Sequence, residues 1–191
     1  MQTNYVMIHD ERRCIGCQAC SIACRSENEV PETVSRLQVH IEGPHGATPD
    51  LYFKYQRVSC QQCKDAPCVK VCPTGASYVG EDGIVSVKTK LCVGCLYCLA
   101  ACPYKVRFVN PITKAADKCN FCKESRLKRD KPPACVDVCP TRALTFGDSN
   151  DPKSDVVKLL HTEITYQNKP DLGTKPRMYR IPTKRGGINH G

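Results

Sequence analysis

The sequence predicts an α+β protein built from two small cysteine-based modules, with short hairpins and helices, a β insert and an extended C-terminal arm. Three observations carry that prediction. The cysteines fall into four groups of recurring spacing, a hairpin signal joins two of the groups, and large apolar side chains are scarce. Of 191 residues 16 are Cys, whereas Phe numbers 4 and Trp is absent. A cysteine share of about 8% marks a cysteine-built scaffold. The hydrophobic fraction of 41% counts those cysteines. Without them, apolar burial alone does not offset the conformational entropy lost on folding. A group bound at the cysteines is therefore expected to supply much of the cohesion. The 14 Pro and 12 Gly point to a loop-rich chain. No run reaches the 18 or so apolar residues of a membrane span, so none is expected.

In chain order, group I is Cys14-x2-Cys17-x2-Cys20-x3-Cys24 and group II is Cys60-x2-Cys63-x4-Cys68-x3-Cys72. Group III is Cys92-x2-Cys95-x2-Cys98-x3-Cys102, and group IV is Cys119-x2-Cys122-x12-Cys135-x3-Cys139. Pro73, Pro103 and Pro140 follow the last cysteine of groups II, III and IV. Three cysteines at i, i+3 and i+6 curl around three corners of a cubane. A fourth, four residues on, starts a short helix and points to a neighbouring cluster. This is the bacterial ferredoxin run, whose fourth Cys ligates the other cluster of a pair. Sixteen thiolates suit four [4Fe–4S] clusters with none left over. A disulfide framework does not need regular triplets. Groups II and IV alone resemble zinc ribbons, but groups I and III, with three cysteines in one loop, do not.

The repeat extends past cysteine. Cys14-Ile15-Gly16-Cys17 parallels Cys92-Val93-Gly94-Cys95, and the run from Cys68 to Ala76 parallels that from Cys135 to Ala143. Such self-similarity suggests duplication of a two-group unit. Between groups II and III, Ala76–Val79 and Ile84–Val87 flank Glu81-Asp82-Gly83, a hairpin signal. Groups I and II are separated instead by a long insert with β alternation at Leu37–Ile41 and Leu51–Val58, around a polar turn at Gly43–Gly46. Linker length thus pairs II with III, and elimination pairs I with IV. Exchange of fourth ligands within each pair then gives four sets. Cys14, Cys17 and Cys20 take Cys139, and Cys119, Cys122 and Cys135 take Cys24. Cys60, Cys63 and Cys68 take Cys102, and Cys92, Cys95 and Cys98 take Cys72.

Residues 1–36 with 110–150 then form a first, discontinuous ferredoxin-like module, 37–55 the β-hairpin insert, 56–109 the second module and 151–191 the C-terminal extension. Short helices are expected after Cys20, Cys68, Cys98 and Cys135, and a second hairpin near Val106–Pro111. Ser154–Glu163 reads as an amphipathic helix. The rest, with Pro170, Pro176, Pro182, Gly186 and Gly187, reads as an extended arm that stays mobile or lies on a partner.

The formal charge of +9 counts each Cys as a neutral thiol. Four oxidised clusters with their thiolates, each about −2, would bring the total to roughly +1. The basic excess therefore reads as compensation for anionic clusters, and no nucleic-acid partner is expected. Lys70, Lys90, Lys105 and Lys118 lie beside the loops, placed either to raise cluster potentials or to be solvated. The histidines at 9, 40, 45, 161 and 190 lack metal-site spacing with Cys. Tyr78, Tyr97 and Tyr104 read as packing for the loops. The basic run Lys123–Lys131 reads as exposed. The N-terminus has neither a basic n-region nor an apolar h-region.

With these motifs the chain resembles the four-cluster electron-transfer subunits of molybdopterin oxidoreductases, most nearly the polysulfide/thiosulfate reductase type. The resemblance rests on His9–Cys20, Asn28-Glu29-Val30-Pro31, Cys72–Tyr78 and Ala116–Cys122, over roughly residues 5–150. It implies a non-catalytic subunit that passes electrons from a quinol-oxidising integral membrane subunit to a molybdopterin catalytic subunit. That partner would reduce polysulfide, thiosulfate or tetrathionate, and is the favoured platform of the extended arm. It implies that the Cys14, Cys17, Cys20, Cys139 cluster faces the catalytic subunit, and the Cys72, Cys92, Cys95, Cys98 cluster the membrane subunit. In nitrate and dimethyl sulfoxide reductase subunits, the position matching Cys95 is not Cys and holds a [3Fe–4S] cluster. Cys95 therefore favours four [4Fe–4S] clusters. The resemblance also implies the periplasmic face of the cytoplasmic membrane, reached by export with the catalytic subunit. The alternatives are a cytoplasmic ferredoxin-like subunit of a formate dehydrogenase or hydrogenase complex, and a zinc-built interaction module.

Overall fold

A computed structural model describes residues 3–183; Met1, Gln2 and the Gly186, Gly187 and His190 of the expected arm lie outside the described residues. Val6-Met7-Ile8 is a continuous apolar run, the pattern of a strand covered on both faces. It forms the centre of β1 (Tyr5–Asp10), the middle strand of a three-stranded sheet. β8 (Leu144–Asp148) pairs with it antiparallel, and β9 (Met178–Ile181) pairs parallel on the other side. Strand alternation sends Met7 to one face, into a core with Leu37, Phe121, Leu144, Met178 and four cysteines. Val6 and Ile8 face the other way, onto Val156 and Ile181.

Val156 belongs to α5 (Asp155–Thr162), within the expected 154–163 span. Its apolar positions 156, 157, 159 and 160 share one helical stripe, and Val156 is fully buried. Burying a side chain of this size contributes about 1.5–3 kcal/mol. Asp155 in the first turn and His161 in the last suit the helix dipole.

The remaining strands form three antiparallel pairs. β2 (Leu37–His45) pairs with β3 (Tyr52–Ser59), β4 (Ser77–Val79) with β5 (Val85–Val87), and β6 (Phe108–Val109) with β7 (Ala116–Asp117). The turn between β4 and β5 is closed by the Ile84 N–H donating to Asp82 Oδ1 (3.1 Å), with Gly83 at φ +73°. Four helices follow the cysteine loops: α1 (Ala19–Glu27), α2 (Pro67–Lys70), α3 (Tyr97–Ala100) and α4 (Ala134–Asp137). Each contains the third cysteine of its group; the fourth does not start a helix as expected, and Cys72, Cys102 and Cys139 lie just past the ends of α2, α3 and α4. α1 packs on α4 and α2 on α3.

Two further expectations need correction. The insert does not end at 55: β2 continues through Gly43-Pro44-His45, and β3 runs on to Ser59, directly into Cys60. The segment after Asn150 is not simply an extended arm as far as residue 183. It returns through α5 and closes the sheet as β9. Met178-Tyr179-Arg180-Ile181 is too short and too mixed to signal a strand. The bare edge of β1 nevertheless has backbone groups that need partners, and β9 supplies them.

Candidate functional site

Each cysteine group folds as a tight loop entering a short helix. In group I, Gly16 (φ +69°) and Gln18 (φ +62°) are left-handed; in group III, Gly94 (φ +69°) and Leu96 (φ +65°) repeat the geometry. Alternating left-handed residues turn successive thiols to one side. Gly16 is required twice over, because a Cβ there would also lie 2.6 Å from the Tyr55 ring. Groups II and IV enter their helices differently, with Pro67 opening α2 and Pro133 just before α4. Proline presets the helical φ and lacks the N–H that would be unpaired there.

The loops gather thiols from different groups into quartets. Cys14, Cys17, Cys20 and Cys139 line one cavity. Cys60, Cys63, Cys68 and Cys102 line a second, and Cys72, Cys92, Cys95 and Cys98 a third. Cys24 has Cys119, Cys135 and Cys122 as its charge neighbours, all four buried. Each quartet brings together three thiols from one group and one from another.

The donor chemistry fits iron–sulfur clusters. Four sulfurs around one zinc ion, each about 2.3 Å from it, leave no cavity between them. Three quartets instead line separate cavities of their own. Among the described residues, no group of three or more His, Cys, Asp or Glu is close enough to hold a single ion. Burial pushes the Cys63 thiol up to about 12, with Cys60 adding. Burial likewise pushes Cys135 up to about 11, against the pull of Arg57, and raises Cys24 further. Such thiols become thiolates only beside a strongly positive centre, which iron provides. Hydrogen-bond donors point at the sulfurs. The N–H groups of Ser77, Ala116 and Ala143 donate to Cys72, Cys92 and Cys139 Sγ at 3.3, 3.4 and 3.3 Å. Asn28 Nδ2 donates to Cys122 Sγ at 3.5 Å.

Exposure differs along the set. Cys17 and Cys95 are exposed, whereas the Cys24, Cys119, Cys122, Cys135 quartet is wholly buried. Beside Cys17 lie the exposed Ile15 and Ile22. Beside Cys95 lie Val93, Leu96 and Tyr97, all exposed. Two quartets therefore open through apolar surface of the kind that partners cover.

Other candidates sort clearly. Lys118 is buried, while Lys70, Lys90 and Lys105 are exposed. His9 is buried and lines the Cys14 cavity. His45 packs against Tyr52 at 5.4 Å, and His40 and His161 are exposed. Tyr104 packs on the Cys63–Cys68 core, its hydroxyl 2.6 Å from Thr174 Oγ1. Tyr78 carries the Lys88 ammonium over its ring, and Tyr97 is exposed. In the 123–131 run, Arg126 bonds Glu27 and Asp137, tying the group IV loop to α1 and α4. Sequence reasoning missed the buried Arg57, Arg107 and Gln62. Gln62 donates to the Cys119 carbonyl at 2.7 Å and accepts from the Val85 N–H at 2.8 Å. Arg57 and Arg107 lie within five residues of a cysteine, but nothing in the sequence says which cations turn inward.

Residues 51–149 match the 4Fe-4S dicluster domain family. The chain is 63% identical over 190 residues to the polysulfide reductase B subunit of Wolinella succinogenes, covering 98% of this chain and 99% of that one. It is 55% identical to protein NrfC of Escherichia coli K12, covering 97% of this chain and 83% of NrfC. It is 50% identical to the thiosulfate reductase electron transfer subunit PhsB of Salmonella typhi, covering 94% and 93%.

Proposed function

Because this chain belongs to the 4Fe-4S dicluster family, we propose that it carries electrons through four [4Fe–4S] clusters from a quinol-oxidising membrane subunit to a molybdopterin subunit that reduces a sulfur compound. It is a non-catalytic iron–sulfur electron-transfer subunit of a respiratory complex. The terminal substrate in this reading is polysulfide, thiosulfate or tetrathionate, and its chemistry belongs to the catalytic partner.

When bound, each cluster supplies a one-electron carrier that changes charge by one unit while its bonds stay intact. The proposed ligand sets are Cys14, Cys17, Cys20 and Cys139; Cys24, Cys119, Cys122 and Cys135; Cys60, Cys63, Cys68 and Cys102; and Cys72, Cys92, Cys95 and Cys98. The support for them is the quartet geometry, and this single observation carries the proposal. The same reading divides the ligands between two ferredoxin-like modules, one holding groups I and IV and the other groups II and III. The packing of α1 on α4 and of α2 on α3 favours it.

The surrounding residues do three things for such a carrier. The backbone N–H groups of Ser77, Ala116 and Ala143 stabilise negative charge on sulfur. Burial of the inner thiols excludes water and oxidants. The apolar rims at Ile15–Ile22 and Val93–Tyr97 suit partner docking, so that electrons enter and leave close to a thiol. We assign the rim by Cys95 to the membrane subunit and the rim by Cys17 to the catalytic subunit. The complex would then lie on the periplasmic face of the membrane, with this chain exported alongside its catalytic partner.

Anaerobic purification of the native membrane complex, with identification of its subunits, tests this reading. The expected result is co-purification with a molybdopterin protein and a polytopic membrane protein, and quinol-dependent bleaching of absorbance near about 400 nm. A lone chain recovered from the membrane-free fraction would contradict it.

A further inference from the structure

Three buried cations lie where thiol quartets meet. Arg57 lines the Cys14, Cys17, Cys20, Cys139 cavity and donates through Nη2 to Cys135 Sγ (3.7 Å) of the adjoining quartet. Arg107 lines both the Cys60, Cys63, Cys68, Cys102 cavity and the Cys72, Cys92, Cys95, Cys98 cavity. Its Nη2 donates to Ser77 Oγ at 2.7 Å, and its Nη1 is buried with no protein partner. Lys118 occupies the junction between. Its Nζ donates to the carbonyl of Cys119 (2.8 Å) and to that of Val85, a core neighbour of Cys63 and Cys68.

The charge neighbours follow the same sequence. Arg57 faces Cys135, Cys119 and Cys20; Lys118 faces Cys60, Cys119 and Cys68; Arg107 faces Cys68, Cys60 and Cys98. Among the described residues, none of the three forms an ion pair with a carboxylate. A buried cation without a carboxylate is strongly unfavourable unless another anion lies beside it. The thiolate quartets are the anions within reach.

We propose that Arg57, Lys118 and Arg107 are potential-setting residues, one at each of three junctions along a row of four clusters, each raising the midpoints of the two clusters it separates. The proposal rests on the four-cluster reading above and adds an order: the Cys14 quartet, then those of Cys24, Cys60 and Cys72. Each reduction adds one electron, and so one negative charge, to a quartet. A fixed positive charge shared by two neighbours favours reduction of both, so the potential step between them is not enlarged. The electrons come from quinol oxidation and leave one at a time to the catalytic subunit. The guanidinium groups of Arg57 and Arg107 keep their charge at any working pH. Burial protects all three from the salt that screens exposed Lys70, Lys90 and Lys105.

The test is redox titration of the intact complex, followed by electron paramagnetic resonance of frozen samples, in wild type, Arg57→Gln and Arg107→Gln. Arg57→Gln is expected to lower the midpoints of the Cys14 and Cys24 clusters together and leave the other two in place. Arg107→Gln is expected to do the same for the Cys60 and Cys72 clusters. The expected shift is at least about tenfold in the reduction equilibrium, about 59 mV for one electron. Arg→Lys at each position is expected to recover most of it. Unmoved midpoints in iron-loaded glutamine variants overturn the proposal alone, whereas an iron-free wild-type protein overturns the four-cluster reading beneath it. If the glutamine variants lose iron, the wild type decides. Its midpoints are expected to hold between low and molar salt, and a steep dependence on salt would assign them to exposed charges instead.

Discussion

The Glu11 carboxylate and the Arg180 guanidinium form an ion pair at 3.2 Å, with side chains only 5% and 6% exposed. The pair joins the residue after β1 to β9, across almost the whole length of the chain. Tyr166 Oη donates to the same carboxylate at 2.6 Å, and Arg180 Nη2 donates to the Arg57 carbonyl at 2.8 Å. The closing strand is thereby tied to the backbone beside the thiol quartets.

Breaking that pair from one side leaves a buried charge without a partner. Arg180→Met is expected to destabilise the protein by about 3–5 kcal/mol. Tyr166→Phe removes one hydrogen bond to a charged group, and about 1.5–3 kcal/mol is expected. Denaturant midpoints of the iron-loaded protein, read by loss of visible absorbance, give the ranking. Equal midpoints for Arg180→Met and wild type would contradict it.

Truncation after Asn150 removes α5 and β9, uncovering Val6, Ile8 and one edge of β1. The shortened chain is expected not to accumulate as soluble, iron-loaded protein, as measured by iron content of the soluble fraction. Full iron loading of the fragment would mean that the sheet stands without its third strand.

His9 gives a pH signature. Burial, reinforced by Arg180 and Arg57, pulls its imidazole from 6.5 down to about 3. The unfolded chain therefore binds a proton that the folded chain refuses. Stability is lost as pH falls from about 6.5 towards 3, at up to about 1.4 kcal/mol per pH unit. Relative to His9→Gln, the wild type is expected to lose about 1–2 kcal/mol between about pH 6.5 and pH 5. Parallel pH profiles for the two proteins would show that His9 is protonated in the folded state.

Gly16 and Gly94 share a left-handed φ but not their surroundings. A Cβ at Gly94 would have its nearest neighbour, the Lys114 carbonyl oxygen, at 3.7 Å, while at Gly16 it would meet the Tyr55 ring. Gly94→Ala is expected to cost only the backbone strain, about 1–2 kcal/mol. Gly16→Ala is expected to cost more, and Gly16→Ala with Tyr55→Ala is expected to recover the steric part. Thermal loss of visible absorbance in the three variants checks the order.

The parts legible in the sequence are those where local chemistry dictates spacing. A cubane needs three thiols in one loop, so Cys14-x2-Cys17-x2-Cys20 announces itself, as does the Asp82-Gly83 turn. Group helices were legible because each begins beside a cysteine. The return of β9 was hidden because four residues between Pro176 and Pro182 show no periodicity, and their reason for pairing lies at the other end of the chain. Arg57 and Arg107 were hidden for a related reason. An inward-facing cation is improbable until several thiolates, assembled from distant segments, create the anion that keeps it there.

Iron and acid-labile sulfide analysis of the anaerobically purified polypeptide tests the central claim most directly. Four filled quartets predict about sixteen iron and sixteen sulfide per chain. A value well short of this in freshly prepared protein, or stoichiometric zinc in its place, would contradict the account.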